Sequence, residues 1–425
     1  MAQLTDDCFA FSGPLLPVDE LQQIIRERIS PVSETETITL NNAQGRVLSA
    51  DIVAPISLPP FDNSAVDGYA VRHADLNAER ETRLPIADRV TAGRAAAQPL
   101  APSQAIRIFT GAPMPDGADT VFMQEDCRVE DDAVILPPGL KRGANRRLAG
   151  EDVPAGRAVL RDGRRLSVAD LALVAGLGLT ACNVRRRIKV ALFSTGDEVA
   201  EPGHPLPPAA LYDANRTLLS GLIGRLGGEV TDLGILADDP AILTPALRAA
   251  ASGHDLVLTT GGVSTGEADH VRDAVEACGR LVFWRVAIKP GRPVAMGVIP
   301  HVADPAQSAA FVGLPGNPVA AFVTFFRVVR PLIMRLSGAH DPQPIPLPVR
   351  AGFAYRKKEG RREYVRVALR KLPDGGIEAN KHPQDGAGVI TSLTETDGLV
   401  ELPENVTTVE AGSTVGFIPY TSIID

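Results

Sequence analysis

Between residues 189 and 314 the chain repeats one pattern, a short apolar run followed by a helical period. The apolar runs fall at 189–194, 229–235, 255–260 and 311–314, and helical patterns at 215–226, 240–251 and 269–278 separate them. Runs this short and this apolar predict strands buried on both faces, and their alternation with helices predicts a mostly parallel, doubly wound α/β sheet. At 425 residues the chain is long enough for about two to four domains, of which this is one.

The flanks read differently. Leu21, Ile24, Ile25 and Ile29 share one helical face before Pro31, which predicts an opening amphipathic helix. From 37 to 121, short β-branched runs such as TITL and IRIF are broken by SLPPFD and GAPMPDGAD, which predicts small sheets joined by turns. After NRRLAGEDVPAG, the segment LSVADLALVAGLG predicts a helix whose Ser and Asp suit its first turn. The four prolines of AHDPQPIPLPV predict an extended linker, and the last 80 or so residues, with runs such as EYVRVAL and STVGFI, predict an all-β domain.

Composition excludes several classes. The 43 basic against 51 acidic residues leave a net charge of −8, so nothing in the balance draws the chain to nucleic acid or an anionic membrane. The aromatics form no aromatic-basic series of the kind that stacks bases. Four scattered cysteines without a C-x-x-C pair argue against a zinc ribbon or a disulfide framework and fit a reducing compartment. The first residues, MAQLTDDCFAF, have no basic stretch before an apolar run, and the most apolar segment, 171–182, spans about twelve residues against the roughly 20 needed to cross a bilayer. A soluble cytoplasmic protein is expected.

In an open parallel sheet, ligands sit beyond the carboxyl ends of the strands. There the sequence places Ser194-Thr195-Gly196-Asp197-Glu198, then Thr260-Gly261-Gly262-Val263-Ser264, and then Pro315-Gly316-Asn317-Pro318. Glycines let a phosphate approach the backbone, and a helix beginning behind them aims unpaired N–H groups at it. Asn317 and Pro318 also read as the N-cap and first turn of the helix PVAAFVTFFRVV. Carboxylates accumulate at the same edge (Asp197, Glu198, Asp238, Asp239, Asp269), and hard oxygen ligands suit Mg²⁺ better than zinc. Each of them also reads as a helix cap or a solvated charge. Lys289-Pro290-Gly291-Arg292-Pro293 holds two cations on a stiff loop, suited to phosphoryl chemistry.

In the β-rich region, Asp62 to Gly68, Thr110-Gly111-Ala112-Pro113 and Gly150-Glu151-Asp152 are polar knots that composition alone does not connect to that edge. The one G-x-G-x-x-A, at 176–181, follows a helix and precedes a strand, the reverse of dinucleotide-binding order, and no P-loop is present. The seven histidines have no metal-ligand spacing.

Taken in order, FDNSAVDGYA, IFTGAP, GED, FSTGDE, ADDP, TTGGVSTGEAD, AIKPGRP and GLPGNP resemble the molybdopterin molybdenumtransferase family, MoeA in bacteria and similar to the E domain of gephyrin. The resemblance runs from about residue 15 to 420. It implies insertion of molybdate into adenylyl-molybdopterin with Mg²⁺, releasing AMP and molybdenum cofactor. A non-catalytic pterin-nucleotide carrier or scaffold, and a paralogue that inserts tungstate, are the alternatives it leaves. It also implies an elongated homodimer, with molybdopterin adenylyltransferase and other molybdenum-cofactor proteins as partners.

The implied units are a discontinuous first domain (1–55 with 145–185), an inserted β-rich second domain (56–144), the α/β molybdopterin-binding third domain (186–340) and a C-terminal β-barrel-like fourth (341–425). Matched motif by motif, Asp67 and Thr110 belong to the second-domain half of the active site, which in the family faces the third domain of the other subunit. Glu198, Asp238 and Asp269 match its acidic positions, and Asp197, Asp238 and Asp269 are the implied metal ligands. Ser194, Thr195, Gly196, Asp197, Gly261, Gly262, Ser264 and the 315–318 turn are implied substrate contacts. Lys289 and Arg292 match a basic pair suited to molybdate and phosphate, and Arg366 matches a functional arginine. Two features depart from the family. Ala387, in Gln384-Asp385-Gly386-Ala387-Gly388, stands where a serine is common, a loss of one neutral hydrogen bond worth about 0.5–1.5 kcal/mol. The GED loop keeps only part of the usual arginine run, with Arg147 preceding Leu148 and Ala149.

Overall fold

Apolar strands 189–195 and 256–260 lie side by side, and the α/β layer is built outward from them. The computed structural model describes residues 15–262, 270–291, 293–340 and 343–424. Its central sheet has six strands in the order Glu229–Leu236, Lys189–Thr195, Leu256–Thr260, Ser308–Leu314, Pro293–Pro300 and Arg280–Arg285. The first four are parallel, as expected. The last two run antiparallel, an edge extension that the strand-helix alternation did not predict. A connection only a few residues long, around the Lys289 loop, leaves no room for a crossover helix, so these two strands must pair as a hairpin.

Helices Pro240–Gly253 and His270–Cys278 cover one face, over Ala191, Phe193, Val257 and Phe311. The other face carries Asn215–Arg225 and a long helical stretch running from Pro318 to Leu336 through a π-helical turn at Phe325–Val329. The opening helix, Val18–Arg28, joins this second core: Leu21 and Ile25 are wholly buried beside Leu332 and Ile333. Each such side chain contributes about 1.5–3 kcal/mol of burial.

Three further pieces surround this layer. Thr35–Thr39 pairs with Ala181–Arg185, and Ile52–Val53 with Ala158–Leu160, so segments far apart in sequence share one small core around Leu48, Val174 and Val184. There the expected helix forms at Val168–Gly176 with a capping box: Ser167 Oγ accepts from Asp170 N at 3.2 Å, and Asp170 Oδ2 accepts from Ser167 N at 2.9 Å. Between these segments lies a six-stranded sheet in the order Thr120–Met123, Gly68–Val71, Ala105–Ile108, Thr82–Val90, Ala133–Leu136 and Arg128–Glu130.

At the other end, Arg362–Lys371, Ile377–Lys381, Leu347–Ala351, Thr414–Pro419 and Gly398–Leu402 close into a five-stranded barrel, because Arg362–Lys371 pairs with both its neighbour and Gly398–Leu402. The first of these strands in the chain begins inside the proline-rich stretch expected to be a linker. Pro348 is tolerated because Ile377–Lys381 meets this strand only at Arg350 and Ala351. Two residues of the α/β layer, Ile288–Lys289, pair in parallel with Arg362 and Glu363 and so extend the barrel sheet. No described helix is long and apolar enough to cross a membrane.

Candidate active site

The spatial order of the parallel strands is second, first, third, fourth, so the chain reverses direction between Lys189–Thr195 and Leu256–Thr260. A crevice opens beyond the carboxyl ends of strands at such a switch point. Ser194 and Thr195 end one strand and Thr260 the other, and each is almost fully buried. The Ser194 and Thr195 hydroxyls have no hydrogen-bond partner among the described residues. Buried hydroxyls left unpaired cost stability, and a polar ligand would satisfy them.

The turns at these strand ends require glycine at two points. Gly196 has φ +138°, and a Cβ there would lie 2.8 Å from the carboxylate of Glu198, which folds over it. Gly261 has φ +86°, and a Cβ would stand 2.3 Å from the Thr195 carbonyl oxygen. The two loops therefore meet backbone to backbone. The rest of the glycine-rich loop, including Ser264 and Asp269, lies outside the described residues, as does Arg292.

Asn215 fastens the third loop. Its Nδ2 donates to Thr260 Oγ1 at 2.8 Å and to the Gly316 carbonyl at 2.7 Å, and Thr260 Oγ1 donates to the Pro315 carbonyl at 3.1 Å. Pro318 is the first helical residue, as expected. Asn317 holds the N-cap position but makes no capping bond through its side chain.

The acidic residues separate by role. Asp239 caps helix Pro240–Gly253, accepting from Ala241 N at 2.8 Å. Asp238 instead has a buried Oδ1 with no partner. Burial pushes its carboxyl above the usual range, and the charges of Asp197 and Glu198 push the same way against an opposing pull from His270. A carboxyl raised by burial and by two neighbouring carboxylates is one that a bound cation would relieve. Among the described residues no set of three or more ligand side chains is already arranged around a metal position. The loop bearing Asp197 and Glu198 is clamped at its far end by Arg216, which donates to Glu201 at 2.6 Å and to Asp232 at 3.1 Å and pairs with buried Asp213 at 3.3 Å.

A second group lies where the α/β layer meets the barrel. The carbonyl of Ala387 accepts from Val319 N at 3.0 Å, which seats the loop 384–388 on the turn at 315–318. Beside it is a cavity of about 200 Å³ walled by Lys289, Tyr355, Glu363, Arg366 and Ala387. Lys289 Nζ donates to Tyr355 Oη and to Glu363 Oε2, both at 3.2 Å. Partial burial alone would lower its pKa, but Tyr355 and Glu363 outweigh that and hold the ammonium firmly charged. Arg366 is 5% exposed. Its Nη2 donates to the Gln384 carbonyl at 2.9 Å, whereas its buried Nε has no partner. Burial lowers its pKa, with only partial compensation from Tyr420, Asp385 and Tyr355. A buried guanidinium with no carboxylate on it is suited to an anion.

Asp67 and Thr110 form a third group, in the inserted sheet. Asp67 Oδ1 accepts from Thr110 N at 2.8 Å and from Thr110 Oγ1 at 2.7 Å, and these bonds hold its carboxyl below the usual range. The polar knots of the sequence meet here: Gly111 N donates to the Ser64 carbonyl at 2.8 Å, and Asp62 accepts from Ala149 N at 2.7 Å. No hydrogen bond or ion pair among the described residues joins Asp67 or Thr110 to the strand-end loops of the same chain.

Asn215, Tyr355 and Glu363 are site residues that sequence reasoning missed. Glu363 carried one usable signal, a carboxylate that opens the largely apolar strand run EYVRVAL three residues before Arg366.

Comparison with known proteins matches this architecture along nearly its whole length. Residues 16–178 match the MoeA N-terminal region (domain I and II), 191–335 a probable molybdopterin binding domain, and 348–420 the MoeA C-terminal region (domain IV). The chain is 37% identical to a molybdopterin molybdenumtransferase of Haemophilus influenzae, over 96% of this chain and 100% of the relative. It is 35% identical to one from Nostoc, over 91% and 89%. The crystal structure of a molybdopterin biosynthesis MoeA protein from Pyrococcus horikoshii superposes with a TM-score of 0.82 at 29% identity, covering 96% of this chain and 100% of that one. With its α/β layer, inserted sheet and closing barrel, the chain belongs to the molybdopterin molybdenumtransferase (MoeA) family of transferase enzymes.

Proposed function

We propose that the protein inserts molybdate into adenylyl-molybdopterin, releasing AMP and molybdenum cofactor. One observation carries this reading: a small cavity is walled by Lys289 and by the buried Arg366, whose Nε has no partner, and Ala387 in its wall bonds to Val319 beside the 315–318 turn of the crevice. At about 200 Å³ it is smaller than the roughly 300–1,000 Å³ pockets that take drug-sized ligands, so it fits an oxyanion while the crevice takes the pterin nucleotide.

Residues divide the work accordingly. Ser194, Thr195, Gly196, Gly261, Gly262 and the turn at 315–318 bind the pterin and its phosphate. Lys289, Arg292 and Arg366 hold the oxyanion and offset charge as the phosphoanhydride is cleaved. The unpaired oxygen of Asp238 and the neighbouring carboxylates fit Mg²⁺ better than a soft metal, and Asp197, Asp238 and Asp269 would hold it. When bound, Mg²⁺ neutralises phosphate charge and polarises the bond to be broken. Asp67 and Thr110 are assigned to the crevice of a second copy, giving a homodimer whose sites are shared. The four-unit division 1–55 with 145–185, 56–144, 186–340 and 341–425 fits the pairing of Thr35–Thr39 with Ala181–Arg185 and the closure of the barrel. The reaction is placed in the cytoplasm, with adenylyl-molybdopterin supplied by an adenylyltransferase.

Purified protein incubated with adenylyl-molybdopterin, molybdate and Mg²⁺ should release AMP; unchanged substrate with folded protein refutes the reading. Ala387, which removes a hydroxyl from the cavity wall, favours a second reading, a pterin-nucleotide carrier or a tungstate-specific paralogue. Tight binding without AMP release decides for the carrier, and faster turnover with tungstate for the paralogue.

A further inference from the structure

We infer that Arg107 is a positioning residue for the reaction, bracing Asp67 and Thr110 through their chain neighbours. This rests on the reading above that Asp67 and Thr110 serve the crevice of a second copy. A lone arginine in the strand run IRIF carries no motif signal. Its place in the inserted sheet gives it one.

Arg107 lies on Ala105–Ile108, paired with Tyr69 on one side and with Arg89 on the other. Residues directly opposed across strands share a face, and so does the residue two positions on, Phe109. The guanidinium accordingly lies over two rings, 4.9 Å from the centroid of Tyr69 and 4.9 Å from that of Phe109. Arg89 approaches the Phe109 ring as well, at 4.8 Å. Stacking orients the plane of the guanidinium, and its rigid fork then decides where the donors point.

They point at both flanks of Asp67. Nη1 donates to the carbonyl of Gly68, the next residue, at 3.2 Å. Nη2 donates to Gln124 Oε1, and the backbone N–H of Gln124 donates to the Asp67 carbonyl at 3.0 Å. The Gln124 amide is oriented from its other end, where Nε2 donates to Glu125 Oε1 at 3.0 Å. Phe109, against the guanidinium, immediately precedes Thr110, which donates twice to Asp67 Oδ1. One side chain therefore holds the residue after Asp67, the group bonded to its carbonyl and the residue before Thr110.

Its charge acts on the same carboxyl. The Thr110 bonds hold the Asp67 pKa down, and Arg107 adds to them through space. Glu125 and Asp126, on the turn that Gln124 opens, and Arg89, on the adjoining strand, are the neighbouring charged groups; among the described residues Arg107 is the one whose charge lowers the Asp67 pKa. Lysine at this position would keep the charge but not the fork, because a single ammonium cannot lie along two rings and donate in two fixed directions. Methionine would keep an apolar stem and lose both.

The test compares Arg107→Lys and Arg107→Met in the full-length protein, by AMP release against pH and by amide exchange. A misplacement of about 1 Å can cost about a hundredfold, so kcat should fall at least about tenfold in both variants while the KM for molybdate stays within about twofold of wild type. The acid limb of the pH-rate profile should move to higher pH in Arg107→Met and stay in place in Arg107→Lys. Exchange at 66–68 and 109–111 should accelerate in both. A kcat within about twofold of wild type in Arg107→Met overturns the inference. A profile that only drops in height in Arg107→Met, its limb unmoved, also overturns it, because a purely structural residue would give that result. Arg89→Met touches the same ring but neither flank of Asp67, and should leave kcat within about twofold; an equal loss there traces the effect to the ring and overturns the assignment to Arg107. Exchange separates this inference from the transferase reading. Wild type that releases no AMP refutes the transferase, and acceleration confined to 66–68 and 109–111 in Arg107→Met then upholds the brace by itself. AMP release by the wild type with both Arg107 variants unaffected does the reverse.

Discussion

Glu363 and Lys289 sit opposite each other on paired strands, with Nζ 3.2 Å from Oε2, the carboxylate wholly buried and the ammonium half exposed. The pair joins two layers of the molecule at the point where an anion would enter. Glu363→Gln keeps the shape but removes the charge that Lys289, Arg361 and Tyr355 converge on. The expected result is a loss of about 1–3 kcal/mol in urea unfolding, because buried donors lose a charged acceptor. The KM for molybdate should rise more than kcat falls, since Lys289 is loosened rather than deleted; an unchanged KM would detach the pair from anion binding.

Asp238 lies on the opposite side of the stability balance. Its folded pKa is raised, chiefly by burial. The stabilisation it gives is therefore present below the ordinary aspartate pKa and is lost as pH rises through the raised value, so at neutral pH the ionised group is a burden. Asp238→Asn should raise the Tm at pH 7 while cutting AMP release. Added Mg²⁺ should raise the Tm of the wild type and leave the variant unmoved. A variant that melts lower, or still responds to Mg²⁺, contradicts this assignment.

Asp67 behaves in the opposite sense. Two bonds from Thr110 depress its pKa, so it stays ionised further into acid, and any contribution disappears only as pH falls through the depressed value. Thr110→Val removes the hydroxyl bond and keeps the backbone one. The acid limb of the pH-rate profile should then move to higher pH with the alkaline limb in place. A profile that only drops in height would show that Asp67 does not titrate in the reaction.

Arg216 is enclosed by Glu201, Asp213 and Asp232 at 8% side-chain exposure. Arg216→Ala leaves Asp213 buried without its cation, a loss of about 3–5 kcal/mol by chemical denaturation. The same change releases the far end of the loop that carries Glu198, so amide exchange across 197–213 should accelerate even where the fold survives at low temperature. Protection equal to that of the wild type would show that the loop is held by other contacts.

The sequence made the parallel strands legible because their runs are too short and too apolar to be anything else at that spacing. The strand ends followed from them, and with them Ser194, Thr195, Gly196, Gly261 and the turn at 315–318. In the residues themselves the barrel shows only as short β runs, its barrel-like form being implied by the family resemblance alone, since closure depends on the pairing of Arg362–Lys371 with Gly398–Leu402, which no local pattern encodes. The two antiparallel strands lie outside the strand-helix alternation because 280–285 and 293–300 are joined through the short Lys289 loop, with no helical period between them to mark either as a strand of the layer. Asn317 had the residue type of a cap but does not use its side chain as one. Asn215, Tyr355 and Glu363 stayed invisible for a common reason: each reaches the site through partners distant in sequence, Glu363 across 74 positions to Lys289. Asp269, Ser264 and Arg292 fall outside the described residues and remain expectations.

The two-residue strand Ile288–Lys289 belongs by sequence to one layer and by hydrogen bonding to another. An engineer who excised the α/β layer as a free-standing module would keep its crevice but lose Tyr355, Glu363 and Arg366, and with them the clamp on the Lys289 side chain. Exchange of modules between relatives has to cut elsewhere, carrying the 286–291 segment and the barrel as one inherited block.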